Sequence, residues 1–125
     1  MEQILERTVA AFNQRHYAQA AVIAESGCQE AEGRDEAFWI GLHDTCLGFA
    51  QVMAGDLAPA EKKLVAAMEG LRNFGFRYQN LEVTSALAGL RRATEEIRAV
   101  REGNKKIFDL SLLPQLKLAA KADDS

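Results

Sequence analysis

The chain has 125 residues, 48% hydrophobic and 26% charged, a composition typical of one folded domain that is large enough to bury a core of its own. Its formal net charge of −3, from 15 basic and 18 acidic residues, excludes a global positive field that would recruit nucleic acid or an anionic membrane. No stretch has the roughly 18 uninterrupted apolar residues of a membrane span, and the early acidic residues of MEQILERTVA are untypical of a signal peptide.

Helix is predicted along nearly the whole chain, because Ala, Leu and Glu are abundant and there are only two prolines. Gly33, Gly55 and Gly103 each follow an amphipathic segment and are expected to end a helix. Asp56 is a good N-cap, and Pro59 fits the first turn of the helix behind it. Together these signals predict five helices, at about 2–14, 17–32, 35–54, 57–71 and 82–102.

The segment NFGFRYQN, residues 73–80, is predicted to be a loop with aromatic anchors. In an extended loop alternate side chains point to the same side, so Phe74, Phe76 and Tyr78 are expected to pin the loop onto the core. Lining a ligand cleft beside Arg77 is the alternative role for these rings.

The C-terminal segment has a different pattern from the helices. Phe108, Leu110 and Leu112 alternate with polar residues, and Pro114 argues against a long helix. We therefore predict an extended tail that packs over a hydrophobic groove on the surface. The last residues, 119–125, are expected to fray.

The predicted fold class is all-α: a compact single domain over residues 1–118, built as a bundle of about five helices. A short internal sequence similarity suggests an alternative to a single bundle. Residues 16–26 and 56–66, which are 40 residues apart, both begin with a polar residue and have a large apolar residue and Ala at matching positions. Repeated helix pairs can give this pattern. Two copies are too few for a stable solenoid, so a helical-repeat-like scaffold that holds a partner peptide is kept as the alternative.

Three polar side chains, His43, Asp44 and Cys46, lie close together in the mostly apolar stretch FWIGLHDTCLGFAQVM. On a helical wheel Cys46 faces the core, Asp44 faces away and His43 lies at the boundary. His43 and Cys46 could share a metal with Cys28, but a zinc site needs three or four ligands, and a reactive thiolate needs an exposed, electropositive setting. The trio is therefore predicted to be structural, without metal or cofactor. A metal- or ligand-dependent enzyme that uses His43, Cys46 and Glu25 is an alternative.

The outward face of the third helix is only half polar, although a surface helix should be polar there. This strip consists of Ile40, Asp44, Leu47 and Gln51. Either another element of the chain covers it or a second subunit does, so the strip is a candidate interaction surface. Gly41 and Gly48, seven residues apart on its flank, are expected to let another helix approach closely.

Three phrases of the chain occur in an order that resembles a known family. They are FNQRHYAQAAVIAE, FWIGLHDTCLGFAQVMAGDLAPAEKKLVAAMEGL and FDLSLLPQLKL. The matching positions are Phe12, Asn13, Tyr17, Ala20, Glu25, Phe38, Gly41, Leu42, Gly55, Ala60, Leu64, Pro114 and Leu116. Over about residues 9–118 the chain is similar to the bacterial and archaeal domain of unknown function 309. The resemblance implies a compact helical bundle, and because the family's activity is unassigned it implies little about function.

The chain departs from the family pattern at the pair of residues most suggestive of chemistry. Ala21 and Val22 stand where the family phrase carries His-Glu, and Cys28 stands where its Trp would be. Glu25 alone remains of that inward-looking cluster. Its expected role is to cap a neighbouring helix or pair with an arginine, with a general base as the alternative. The resemblance thus implies that this chain cannot use a His-Glu site by the same means.

The fifth helix and the residues behind it carry a local excess of positive charge. The basic residues are Arg91, Arg92, Arg98, Arg101, Lys105 and Lys106. Glutamates alternate with them at helical spacing, as in Arg91 with Glu95 and Glu102 with Lys106, which is typical of a solvated, ion-paired face. Contact with phosphate is the alternative, and nucleic acid is not an expected partner.

Cys28 and Cys46 both lie in apolar helical patterns and are expected to be reduced thiols that pack as small hydrophobic groups.

Together, the composition, the helical patterns and the candidate residues predict a small cytoplasmic protein that is not an enzyme and binds neither a cofactor nor a membrane. It is expected to act through helical surfaces as an interaction or accessory module. The expected partner is another protein or a second copy of the chain.

Overall fold

The computed structural model describes residues 1–119, and five helices contain most of them. The helices are α1 (Glu2–Asn13), α2 (Tyr17–Glu30), α3 (Arg34–Ala54), α4 (Leu57–Leu71) and α5 (Val83–Arg101). Between α4 and α5 the strands β1 (Arg77–Tyr78) and β2 (Leu81–Glu82) form a short antiparallel hairpin. Behind α5 the described chain makes one 3₁₀ turn, Leu110–Leu112. The predicted all-α bundle with an extended tail is confirmed.

Each helix packs mainly against its neighbours in the chain: α1 against α2, α2 against α3, α3 against α4, and α4 against α5. The links between the first four helices are only two or three residues long, and short links bring consecutive helices back as adjacent partners. The tail then runs from α5 to α1, the two helices at opposite ends of this order.

Glycines let α2 and α4 approach α3 closely. A methyl group at Gly48 would overlap the Leu64 side chain of α4, and one at Gly41 would lie 2.9 Å from Leu71. The close approach predicted for these two glycines is confirmed. On the other side of α3, Gly27 of α2 makes room for the Trp39 ring. Because protein interiors are close-packed, a side chain at these glycines would force the helices apart.

Aromatic contacts connect the first three helices. The Phe12 ring of α1 lies edge to face with Tyr17 of α2 and with Phe49 of α3, at centroid distances of 4.9 and 5.6 Å. Such pairs contribute about 0.5–1.5 kcal/mol beyond the burial of their area. All three rings are buried, so this cluster fixes the relative positions of α1, α2 and α3.

The loop before α5 is held by two of its three aromatic residues, and not by all three as predicted. Phe74 and Tyr78 pack against Phe38 of α3, with centroid distances of 5.7 and 4.9 Å. Phe76, by contrast, is 71% exposed. The expected alternation fails because Gly75 adopts a left-handed conformation, with φ of 73°, which turns the following side chain towards solvent.

The tail packs on the bundle, but its inward residues differ from those predicted. Phe108 is buried as expected, whereas Leu110 is 46% exposed and Leu113 is buried. The 3₁₀ turn at Leu110–Leu112 causes the difference, because three residues per turn replace the two-residue alternation of an extended chain. Ala119 is also buried, so the packed tail continues one residue past the predicted end at 118. The remainder of the predicted frayed segment, 120–125, lies outside the described residues.

Most helix boundaries agree with the sequence signals. Gly55 ends α3 with φ of 83°, as predicted. Asp56 precedes α4, although its side chain makes no capping hydrogen bond. α2 ends at Glu30 and not at Gly33, which instead precedes α3 with φ of 60°. Within residues 1–119 no helix combines the length and the hydropathy that a bilayer span requires.

Candidate functional site

Cys46 lies in the core of α3, and its thiol is inert. The side chain has no exposed surface, as the helical wheel predicts. Burial raises the pKa of Cys46 to about 12, because a thiolate in apolar surroundings loses its hydration. Cys28 on α2 is half-buried, and burial together with nearby carboxylates raises its pKa as well. Thiols that stay protonated at neutral pH are poor nucleophiles and poor metal ligands.

The other residues of the enzyme alternative do not converge on Cys46. Glu25 is exposed on α2, while His43 and Asp44 are half-buried on α3. The Glu25 carboxylate takes no part in the ion pairs of residues 1–119, so the arginine partner expected for it is absent there. In the same part of the chain, no three His, Cys, Asp or Glu side chains are grouped so that they could hold a metal ion. Within the described part of the chain, Glu25, His43 and Cys46 are therefore not grouped as metal ligands.

The predicted interaction strip of α3 is partly covered by the chain itself. The Asp44 carboxylate lies 3.7 Å from the ammonium nitrogen of Lys63 on α4, and Leu47 is half-buried against the core. The Gln51 Oε1 atom is shielded from solvent and has no hydrogen-bond partner among the described residues. Ile40 remains 49% exposed. The apolar surface of this strip that remains exposed for a second subunit is thus mainly the side chain of Ile40.

The basic side chains of α5 pair with carboxylates, but with partners other than those predicted. Glu61 of α4 accepts hydrogen bonds from Arg98, at 2.7 Å, and from Arg101. The bond from Arg98 is the main cause that lowers the pKa of the Glu61 carboxyl. The predicted pairs within the helix, such as Arg91 with Glu95, do not form among the described residues. The ion pairs that do form, from Arg98 and Arg101 to Glu61, link α5 to α4.

The tail occupies a groove that sequence reasoning did not locate. Residues 108–119 follow α5, reach the end of α1 and finish beside β2. The side chains of Phe108, Leu113 and Leu116 are 9%, 9% and 3% exposed, and they belong to the hydrophobic core. The groove formed by α1, α5 and the hairpin is therefore filled by an extended segment of the same chain, which we call the tail groove.

Asn13, the last residue of α1, holds the main chain of the tail. Its carboxamide nitrogen donates to the Leu116 carbonyl oxygen at 3.0 Å, and its Oδ1 accepts the Leu116 N–H at 2.8 Å. A carboxamide carries both a donor and an acceptor, so one side chain satisfies both polar groups of one residue. This contact recognises an extended backbone and is independent of the side chain at that position.

The tail also pairs with the β2 edge of the hairpin through an isolated β-bridge. Leu118 forms an antiparallel bridge with Leu81 of β2. The Glu82 N–H donates to the Lys117 carbonyl oxygen at 2.9 Å, and the Ala119 N–H donates to the Asn80 carbonyl oxygen at 2.6 Å. Addition of a strand to an open edge is a recurrent way in which proteins bind extended peptides.

Glu96 of α5 anchors the start of the tail. Its Oε2 accepts the Asp109 N–H at 2.9 Å, and the Lys105 ammonium nitrogen lies 2.7 Å from the same atom. The hydrogen bond from Lys105 is the main cause that lowers the pKa of the Glu96 carboxyl. The Asp109 carboxylate in turn accepts the Ser111 N–H at 3.0 Å and caps the 3₁₀ turn.

Between these anchors Pro114 lies over Gly89 of α5. A methyl group at Gly89 would lie 2.6 Å from the Pro114 Cβ and 3.1 Å from its Cγ, well inside the optimal separation of packed carbon atoms. Gly89 is buried inside a helix, where glycine costs about 1 kcal/mol relative to alanine. The glycine thus forms a notch in the tail groove that is matched to the proline.

Sequence reasoning did not predict that Asn13 and Gly89 contact the tail. A glycine in the middle of an amphipathic helix is a signal of close backbone approach, so Gly89 in LEVTSALAGL could have been singled out. Asn13 carries no comparable signal, because its partner Leu116 lies 103 residues away in the sequence.

No family model matches the chain, and no curated protein or solved structure is significantly similar to it. The resemblance to the domain of unknown function 309 stays a prediction that rests on the three phrases quoted above.

Proposed function

We propose that the chain is a non-enzymatic interaction module whose tail groove binds an extended polypeptide segment, with the tail as its present occupant. The supporting observation is that Asn13, Asn80 and Glu82 make four hydrogen bonds with peptide groups of residues 116–119. Bonds to peptide groups do not depend on the bound side chains, so an extended segment from another protein can make them equally well.

The way in which the tail is attached would allow it to leave. The six residues of the linker, 102–107, are all exposed. Within residues 108–119, three large side chains are buried, those of Phe108, Leu113 and Leu116. Every residue that is ordered on docking loses backbone entropy, and few buried side chains offset that loss. We therefore expect docking of the tail to be weak compared with packing of the helices.

The test converts the tail into a separate ligand while α1, α5 and the hairpin, which form the groove, keep their sequence. A single protease site within residues 103–106 lets the folded, purified chain be cut in its exposed linker. A fluorescein-labelled peptide of residues 107–119 is then added, and its fluorescence anisotropy is followed. We expect the peptide to replace the cut tail. The uncut chain should bind it far less, because a tethered tail competes at an effective concentration of about 1 mM.

Circular dichroism of the cut chain is the first control, because exchange is informative only if the helices persist. Asn13→Ala in the cut chain should weaken peptide binding, whereas Gln14→Ala at its exposed neighbour should leave it unchanged. Absence of exchange, or loss of helix content as the tail leaves, would mean that the tail is a permanent part of the core and would contradict the proposal.

Membership in the domain of unknown function 309 and a cytoplasmic location are part of the same proposal. The family would account for the order of the helical phrases. In this chain Ala21 is buried and Val22 is 66% exposed, so the positions of the family's His-Glu pair do not face a common site. Two free thiols suit the reducing cytoplasm. The result expected from the peptide-exchange experiment is the same whether or not the family membership and the cytoplasmic location are correct.

Self-association through α3 is the second candidate, and the exposed side chain of Ile40 favours it. A native mass spectrum of the gently purified chain gives the number of subunits directly. Any dimer should dissociate in Ile40→Asp but persist in Met53→Asp, since Met53 is similarly exposed, at 47%, at the end of the same helix. In the same spectrum, an added mass of zinc that His43→Ala removes would instead support the enzyme alternative.

A further inference from the structure

Of four consecutive tail residues, 113–116, three pack into the groove and one points to solvent. Leu113 and Leu116 are buried, at 9% and 3% exposure, while Gln115 between them is exposed. Pro114 lies against the notch at Gly89. The groove therefore selects the side chains at three of these positions and leaves the fourth free.

The proline also suits the backbone that the groove requires. Leu113 has φ of −65° and ψ of 121°, the extended conformation that a following proline favours. Proline has no N–H to satisfy, and the bonds from Asn13 begin two residues later, at Leu116. A segment with proline here is already restricted before it binds, so it loses less conformational entropy on docking.

We propose that the tail groove is a recognition site for segments of the form Leu-Pro-x-Leu in a partner protein, bound in the direction of the chain's own tail and antiparallel to β2. This inference rests on the proposed function, because a partner can enter only when the tail leaves. The leucines fill the two buried positions, the proline fits the Gly89 notch, and Asn13 binds the peptide group of the second leucine.

The favoured occupant is a separate protein and not a second copy of the chain. A second copy carries the same motif, but its tail is tethered to its own groove, where the effective concentration is about 1 mM. A motif in an unfolded segment of another protein has no groove of its own to occupy. To displace the docked tail it must bind the groove more tightly than the tail does, by about the ratio of 1 mM to its own concentration.

The first measurement compares labelled peptides of residues 107–119 on the chain cut in its linker. Leu116→Ala in the peptide should weaken binding by more than about thirtyfold, because a buried leucine is truncated. Pro114→Ala should weaken it by about threefold to tenfold, since packing and backbone restriction are both lost. Gln115→Ala is the matched control at the exposed position, and it should change the affinity by less than about twofold.

The second measurement changes the groove. Gly89→Ala should weaken binding of the unaltered peptide by about tenfold or more, because the added methyl group meets the proline ring. A Pro114→Gly peptide, which lacks the clashing Cβ, should lose less affinity on Gly89→Ala than the unaltered peptide does. Arg91→Ala, at an exposed position of the same helix, is the control, and circular dichroism verifies that each variant keeps its helices.

The outcomes separate the inference from the proposed function. If the unaltered peptide exchanges but Pro114→Ala and Gly89→Ala change nothing, the Leu-Pro-x-Leu specificity is overturned and the proposed function stands. If the unaltered peptide does not exchange, the proposed function fails and the inference fails with it. Tail-exchanged dimers of the uncut chain in native mass spectra, abolished by Leu116→Asp, would overturn the assignment to a separate partner.

Discussion

At the scale of single residues, Asn13 contacts the docked tail directly, because two hydrogen bonds join its carboxamide to Leu116. Asn13→Asp keeps the shape and the acceptor but loses the donor, and it places a carboxylate against the Leu116 carbonyl oxygen. We expect the free energy of unfolding to fall by about 1–3 kcal/mol, measured by urea denaturation at neutral pH. Gln14→Ala should change it by less than about 0.5 kcal/mol. Unchanged stability in Asn13→Asp would rule out these hydrogen bonds.

Cys46 gives a second prediction at this scale. The thiol is completely buried in a packed core, so Cys46→Leu should lower the free energy of unfolding by about 1–3 kcal/mol through overpacking. His43→Ala, three residues earlier at a half-buried position, should change it little. Urea denaturation of both variants measures the difference. The reverse order, a tolerated Cys46→Leu and a damaging His43→Ala, would contradict the assignment of Cys46 to the core.

At the scale of elements, Glu61 joins α4 to α5 through Arg98 and Arg101. These bonds lower the pKa of the Glu61 carboxyl below its value in the unfolded chain, which is about 4.3. The stabilising contribution is therefore present above that pH and is lost as the pH falls through the folded pKa.

Glu61→Gln should accordingly destabilise the chain at pH 7 and have a smaller effect in acid. The expected loss is about 0.5–1 kcal/mol, because both arginines are half exposed and exposed ion pairs contribute little. Urea denaturation at pH 7 and at pH 3 measures it. Glu69→Gln, at an exposed position of α4, is the control. A loss that is as large at pH 3 as at pH 7 would show that the carboxylate charge is not the cause.

Elements also differ in how far the sequence predicts them. The helices were predictable because their apolar residues recur with the helical period and because glycines such as Gly55 and Gly103 mark their ends. The hairpin was missed, since strands of two residues carry no periodic signal. The tail was predicted to be extended, but its 3₁₀ turn changed which leucines face inward. A groove under the tail was predicted, but its location between α1, α5 and the hairpin was not, because Asn13 and Leu116 meet only in the folded chain.

At the scale of the whole molecule, the helices pack against one another in chain order, and the extended tail lies along the side of this bundle. α3 packs against both α2 and α4, whereas residues 108–119 are linked to the bundle through an exposed linker. Stability is then expected to be uneven, with local opening of the tail at a lower free energy than global unfolding.

Native-state hydrogen exchange at increasing urea concentrations tests this difference. The N–H groups of Asp109, Leu116 and Ala119, which bond to the groove, should exchange through an opening that hardly depends on urea. Amides in the middle of α3 should exchange only with global unfolding and depend strongly on urea. Leu116→Ala should speed exchange in the tail much more than in α3. If tail and α3 instead open at the same free energy, the groove is closed to any ligand while the chain is folded, and the peptide-binding proposal is wrong.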